Sequence, residues 1–120
     1  VVATPMTDET RGAIDARMVG LLKEGAHVIV ISRGGIVDEE ALVEGLRSGR
    51  IAGAGLDVFA EEPLPEDNPL WDLPNVVITP HCSGVTTFVI ENIEQVFKEN
   101  LRRYLGGEPF LYVCDKKAGF

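Results

Sequence analysis

Residue types that announce specialised chemistry are scarce in this sequence. The two cysteines, Cys82 and Cys114, suggest neither a disulfide framework nor a zinc site, and reduced thiols in a cytoplasm are the expectation. No apolar run is long: stretches such as Val28 to Ile31 fall far short of the roughly 20 residues of a membrane span. No basic segment followed by an apolar one opens the chain. Basic residues are outnumbered, 11 Lys and Arg against 19 Asp and Glu, for a net charge of -8. That balance argues against chain-wide attraction to nucleic acid or anionic membrane, while leaving a local basic patch open. Internal repeats, low-complexity tracts and heptads are also absent. What is there is material for one core: 120 residues, 45% hydrophobic and 25% charged. Val1 and Val2 read as the interior of a strand with no turn before them, so the chain is expected to be the later part of a longer one.

Short β-branched runs alternate with helical periods, the pattern of β-α-β units around a parallel sheet. Strands are expected at Val1 to Ala3, His27 to Ile31, Ile51 to Val58 and Val76 to Thr79. Asp15 is placed to cap a helix running to about Lys23, ended by Gly25. Asp38 caps another, with Glu39 and Glu40 in its positive first turn and Gly49 closing it. From about Thr86 to Leu105, Ile93, Phe97, Leu101 and Tyr104 recur at helical spacing, with Glu94-Lys98 and Glu99-Arg103 as i,i+4 pairs.

Reactive residues fall where the strands end. Thr4 and Pro5 follow the first strand, and Ser32-Arg33-Gly34-Gly35 the second. Asp57 and Glu61-Glu62-Pro63 follow the third, and Pro80-His81-Cys82-Ser83-Gly84 the fourth. In open parallel sheets these carboxyl ends line one crevice where ligands gather. A cation, carboxylates and an imidazole on one rim suit proton-coupled chemistry on an anionic substrate. By position alone they define a site and no reaction.

The runs Arg33-Gly34-Gly35-Ile36-Val37-Asp38-Glu39, Gly53-Ala54-Gly55-Leu56-Asp57-Val58-Phe59, Glu62-Pro63, Trp71, Pro74-Asn75-Val76 and Thr79-Pro80-His81 occur in order. Together with Thr4-Pro5-Met6-Thr7 and Thr10-Arg11-Gly12, they resemble the D-isomer-specific 2-hydroxyacid dehydrogenases over most of the chain. The resemblance implies an α/β fold: a partial Rossmann-like parallel sheet, the C-terminal half of a nucleotide-binding domain, followed by a long crossing helix and a tail. Residues 1–84 would belong to the NAD(P)-binding domain, 85–106 to the crossing helix, and 107–120 to a substrate domain. The family's glycine-rich phosphate loop is expected upstream of Val1. Gly53-Ala54-Gly55 is no substitute, because it lies inside a strand with no helix start after it.

The resemblance also implies roles. Arg33 would grip a substrate carboxylate with its planar fork of donors, although position alone fits a surface arginine equally well. His81 would be the acid and base, with Glu62 accepting from its other ring nitrogen. Arg33, Glu62 and His81 are thus the expected catalytic set. Thr4, Pro5, Ile31, Ser32, Arg33, Asp57, His81, Ser83 and Gly84 are the expected contacts to NAD or NADP, and no metal is expected. A structural cap is the other reading of Asp57. His27 is read as structural, Cys82 as packing, and Trp71 as an anchor of core type.

The implied activity is oxidation of a small D-2-hydroxy acid, or reduction of its 2-oxo acid, by hydride exchange with NAD(P). The alternative is a regulatory NAD(H)-sensing protein of the corepressor type. A homodimer is expected of the intact protein, and no activity of these 120 residues alone.

Overall fold

Asp15 and Asp38 start the first two helices for the reason their positions suggest. In a computed structural model, which describes residues 1–119, Asp15 accepts the Met18 N–H at 2.8 Å and begins α1 (Ala16–Leu21). Asp38 accepts the Ala41 N–H at 3.1 Å and begins α2 (Glu39–Arg47). Each carboxylate satisfies an amide that the helix itself leaves unpaired. α1 ends two residues before Lys23, where Arg50, in the turn that precedes Ile51, donates to the Gly20 and Leu22 carbonyls. Gly25 and Gly49 adopt positive φ after α1 and α2, as their positions imply.

The chain divides into two compact units, Val1–Cys82 and the residues from Ser83 onward. In the first, β1 (Ala26–Val30), β2 (Ile51–Leu56) and β3 (Val76–Ile78) form a parallel sheet in that order. β2 and β3 stop short of the expected Val58 and Thr79. Val1 to Ala3, expected as a strand, contributes a single parallel bridge from Val2 to Val30. Its bonds are Val2 N to Ile29 O at 2.7 Å and Ile31 N to Val2 O at 3.1 Å.

One face of the sheet carries the core. Val28, Val30, Ile51, Ala54 and Leu56 pack with Val19 of α1 and with Leu42, Val43 and Leu46 of α2. Strands of parallel sheets usually read as apolar on both faces. Here Ile29 and Val77, on the opposite face, are exposed, Val77 by 67%. Gly45 is where α2 comes closest, since a Cβ there would lie 2.8 Å from Ile51 Cδ1 and 3.0 Å from Val19 Cγ1. His27 stacks beside Gly53 at the amino end of β1, away from the strand ends that carry the reactive residues.

The second unit is built on α3 (Val89–Gly106). It starts three residues later than the sequence suggests, with Phe88 at its N-cap and no side-chain cap bond. Gly107, at φ 68, closes it, and the Glu108 N–H reaches back to the Arg103 carbonyl at 2.9 Å. Both expected charge pairs form, Lys98–Glu94 at 2.5 Å and Arg103–Glu99 at 2.8 Å. Arg102 bridges Glu99 and Glu108, and the two guanidiniums hold the Glu99 carboxyl down at about 2. Asn100 pairs with both backbone groups of Leu111, folding the following segment onto the helix. The apolar positions Ile93, Phe97, Leu101 and Tyr104 are exposed.

Ile51 is fully buried at the meeting of α1, α2 and β2. Ile51→Ala is expected to lower unfolding free energy by about 2–5 kcal/mol through lost burial and a residual cavity. Urea denaturation followed by far-UV circular dichroism measures it.

Candidate functional site

Glu62 and His81 meet although 19 residues separate them. The loop after β2 turns at Asp57 to Pro63, and Glu62 folds back to accept the Phe59 N–H on Oε1 at 2.9 Å. Its other oxygen, Oε2, lies 2.7 Å from His81 Nδ1. The His81 bond, followed by the Phe59 amide, holds the Glu62 carboxyl below the usual glutamate range, and Arg33 adds a smaller electrostatic contribution. An ionised carboxylate can only accept, so the proton of this bond sits on Nδ1, and Nε2 takes no part in it.

His81 itself is held in an uncommon backbone conformation, φ 53. A left-handed non-glycine residue costs about 1–2 kcal/mol. The surroundings that impose it are specific. The His81 N–H donates to the Thr79 carbonyl at 3.0 Å, and Asp57 secures both flanks. Oδ1 of Asp57 accepts the Thr79 hydroxyl at 2.5 Å and the Cys82 N–H at 2.9 Å. Asp57 is 3% exposed, the one charged residue buried among those described, and these bonds offset the cost of burying it. Asp57 thus holds groups on both sides of His81. Cys82, expected to pack, is exposed, because it is its backbone that Asp57 holds.

Arg33 follows β1 in a loop that lies against the loop carrying Glu62. Gly34 makes this contact possible: a Cβ there would fall 1.8 Å from the Phe59 carbonyl oxygen. Arg33 Nη1 donates to the Ser32 carbonyl at 2.7 Å, which anchors its head group. Arg33, Glu62 and His81 line one cavity of about 360 Å³, together with Met6 and Arg11. The three expected catalytic residues thus share a single opening. A second, apolar cavity of about 570 Å³ also reaches Glu62 and His81, lined by Phe59, Leu64, Trp71 and Ile78. Trp71, expected as a core anchor, is 51% exposed and fixes the loop by donating Nε1 to the Pro65 carbonyl at 2.9 Å.

The cofactor candidates are placed as follows. Thr4 and Pro5 are exposed beside the Val2 bridge, and the Pro5 carbonyl accepts the Thr10 hydroxyl. Ile31 and Ser32 extend β1 toward Arg33. Ser32 Oγ is buried with no hydrogen-bond partner among the described residues. Ser83 and Gly84 belong to the second unit.

Two residues of this region escape sequence reasoning. Glu39, read as a first-turn acid, also accepts the Ala60 N–H on Oε1 at 2.6 Å, tying α2 to the Glu62 loop. Arg11, named above only within the run Thr10-Arg11-Gly12, lines the cavity beside Arg33. Among the described residues no group of His, Cys, Asp or Glu could hold a metal ion, and no helix is long and apolar enough to cross a membrane.

A parallel α/β unit whose polar residues gather at the carboxyl edge of its sheet has the architecture of a dinucleotide-binding domain. Residues 1–83 match the family described as D-isomer specific 2-hydroxyacid dehydrogenase, NAD binding domain, and the chain belongs to that family. It is 45% identical over 107 residues to glyoxylate/hydroxypyruvate reductase B of Pectobacterium carotovorum, covering 89% of this chain and 33% of that protein. With D-3-phosphoglycerate dehydrogenase of Bacillus subtilis it shares 41% over 117 residues, 98% of this chain and 22% of the other. Among solved structures, a D-isomer specific 2-hydroxyacid dehydrogenase from Xanthobacter autotrophicus Py2 in complex with NADPH superposes with a TM-score of 0.92 at 44% identity. That match covers 99% of this chain and 48% of the other. An NADPH-dependent glyoxylate/hydroxypyruvate reductase from Sinorhizobium meliloti, in complex with NADP, gives 0.89 at 36% identity, covering 98% and 38%. The chain spans less than half the length of each of these relatives.

Two expectations follow from this geometry. Gly34→Ala should push apart the loops bearing Arg33 and Glu62, costing about 1–3 kcal/mol of stability as an overpacked contact does; thermal unfolding beside the wild type measures it. For Glu62, a lowered carboxyl pKa means its stabilising contribution is complete above the ordinary glutamate value and lost as pH falls through the lowered one. Glu62→Gln should therefore destabilise the fold at pH 7, and the gap should close as the medium is acidified past pH 4.5 in a series of denaturation curves.

Proposed function

We propose that the intact protein carrying these residues is an NAD(P)-dependent oxidoreductase that interconverts a small D-2-hydroxy acid and its 2-oxo acid. The observation that carries this reading is the His81–Glu62 bond opening onto the same cavity as Arg33. Arg33 orients the substrate carboxylate, its head group already braced by the Ser32 carbonyl. In the oxidative direction His81 Nε2 removes the hydroxyl proton, and the ionised Glu62 stabilises the imidazolium that results. In the reductive direction the imidazolium returns that proton to the carbonyl oxygen.

A nicotinamide cofactor supplies or accepts the hydride when bound. The residues present suit such a group: Ser32, just past β1, carries a buried hydroxyl with no partner among the described residues, and Asp57, just past β2, is among the proposed contacts. Thr4, Pro5, Ile31, Ser83 and Gly84 complete the proposed contacts. In this reading residues 1–84 serve cofactor binding, 85–106 cross to a substrate domain to which 107–120 belong, and the intact protein is a homodimer in the cytoplasm.

In the intact enzyme, His81→Ala is expected to lower kcat by roughly 10² to 10⁴, the usual size of general acid–base catalysis. Arg33→Ala should act mainly by raising KM for the 2-oxo acid. Steady-state assays with glyoxylate and hydroxypyruvate, each with NADH and NADPH, read both effects. Tight NADH binding without turnover of any acid would favour the sensing protein instead.

A further inference from the structure

Arg11 has no part in the chemistry described so far, yet its position is built. The Thr7 N–H donates to Thr10 Oγ1 at 2.7 Å, and that hydroxyl donates to the Pro5 carbonyl at 2.7 Å, which locks the turn before Arg11. After it, Gly12, at φ 63, donates its N–H to the Gly35 carbonyl at 2.8 Å. The turn is thus pinned two residues from Arg33, and both arginines line the same cavity.

The charge balance there runs against the rest of the chain. Arg102 and Arg103 each pair with a glutamate. Arg11 makes no ion pair or side-chain hydrogen bond among the described residues. Among the described residues the one carboxylate lining the cavity is Glu62, whose two oxygens are taken by Phe59 and His81. Two arginines therefore line the cavity with one committed acid, a local excess of positive charge in an acidic molecule. A substrate with a single carboxylate answers one of them.

We infer that Arg11 selects substrates bearing a second anionic group, carboxylate or phosphate, at the end remote from the carboxylate held by Arg33. This rests on the oxidoreductase reading and adds the class of acid to it. The two charges differ in kind: Arg33 aligns the reacting end, and Arg11 measures whether the far end is charged.

The test compares pairs of 2-oxo acids that differ in the distal charge. Hydroxypyruvate against its 3-phosphate probes phosphate, and 2-oxobutyrate against oxaloacetate probes carboxylate. In the intact enzyme, Arg11→Gln should lower the dianion-to-monoanion ratio of kcat/KM by roughly 10- to 100-fold, as loss of a charge-assisted hydrogen bond implies. The loss should fall on KM, and Arg11→Lys should restore part of it. The pair whose ratio falls identifies the distal group. An unchanged ratio in both pairs, or a rise confined to KM for NADPH, overturns the inference while leaving the reaction assignment intact. If the wild type turns over none of these acids, the reaction assignment fails, and calorimetric binding of the same pairs to wild type and Arg11→Gln still decides the role of Arg11.

Discussion

Glu62 divides its carboxylate between two tasks, and the site depends on both. One oxygen closes the loop after β2 by taking the Phe59 amide, and the other orients His81. A carboxylate fixed by its own loop before it meets the imidazole loses little freedom on pairing, which is what preorganisation requires. The same bonds keep the group ionised, and an ionised partner fixes the imidazole tautomer. Loop closure, charge state and proton position therefore follow from one side chain.

Around that pair the molecule arranges backbones rather than side chains. Gly34 lets two loops touch main chain to main chain, Asp57 holds the amide and hydroxyl on either side of His81, and Glu39 holds the amide of Ala60 from a helix start. Each is a polar or steric constraint on chain path. The reactive groups are then carried on segments with few alternatives, so the unfavourable φ of His81 is sustained by bonds on both sides of it.

The helices and their caps were legible because their causes are local: Asp15 and Asp38 act within three residues of themselves. Strand extents were less so. Val1 to Ala3 has strand composition but meets its neighbour at one residue, and pairing is decided by the partner. Arg33, Glu62 and His81 were singled out through family motifs, whereas composition and periodicity gave no more than the shared edge of the sheet. Glu39 and Arg11 were not legible in these roles. Glu39 already had a sufficient local explanation at the helix start, and its bond to Ala60 spans 21 residues. Arg11 becomes notable when Gly12 and Gly35 bring its turn to Arg33.

Cys82 carries an implication for reading chemical-modification data. Its amide is fixed to Asp57 while its thiol faces outward, one residue from the imidazole. An alkylating reagent that silenced the protein at this position would be reporting obstruction beside His81, without making the thiol a participant in the protein's own chemistry. The same thiol offers an attachment point for a small fluorophore whose emission would track events at the neighbouring ring.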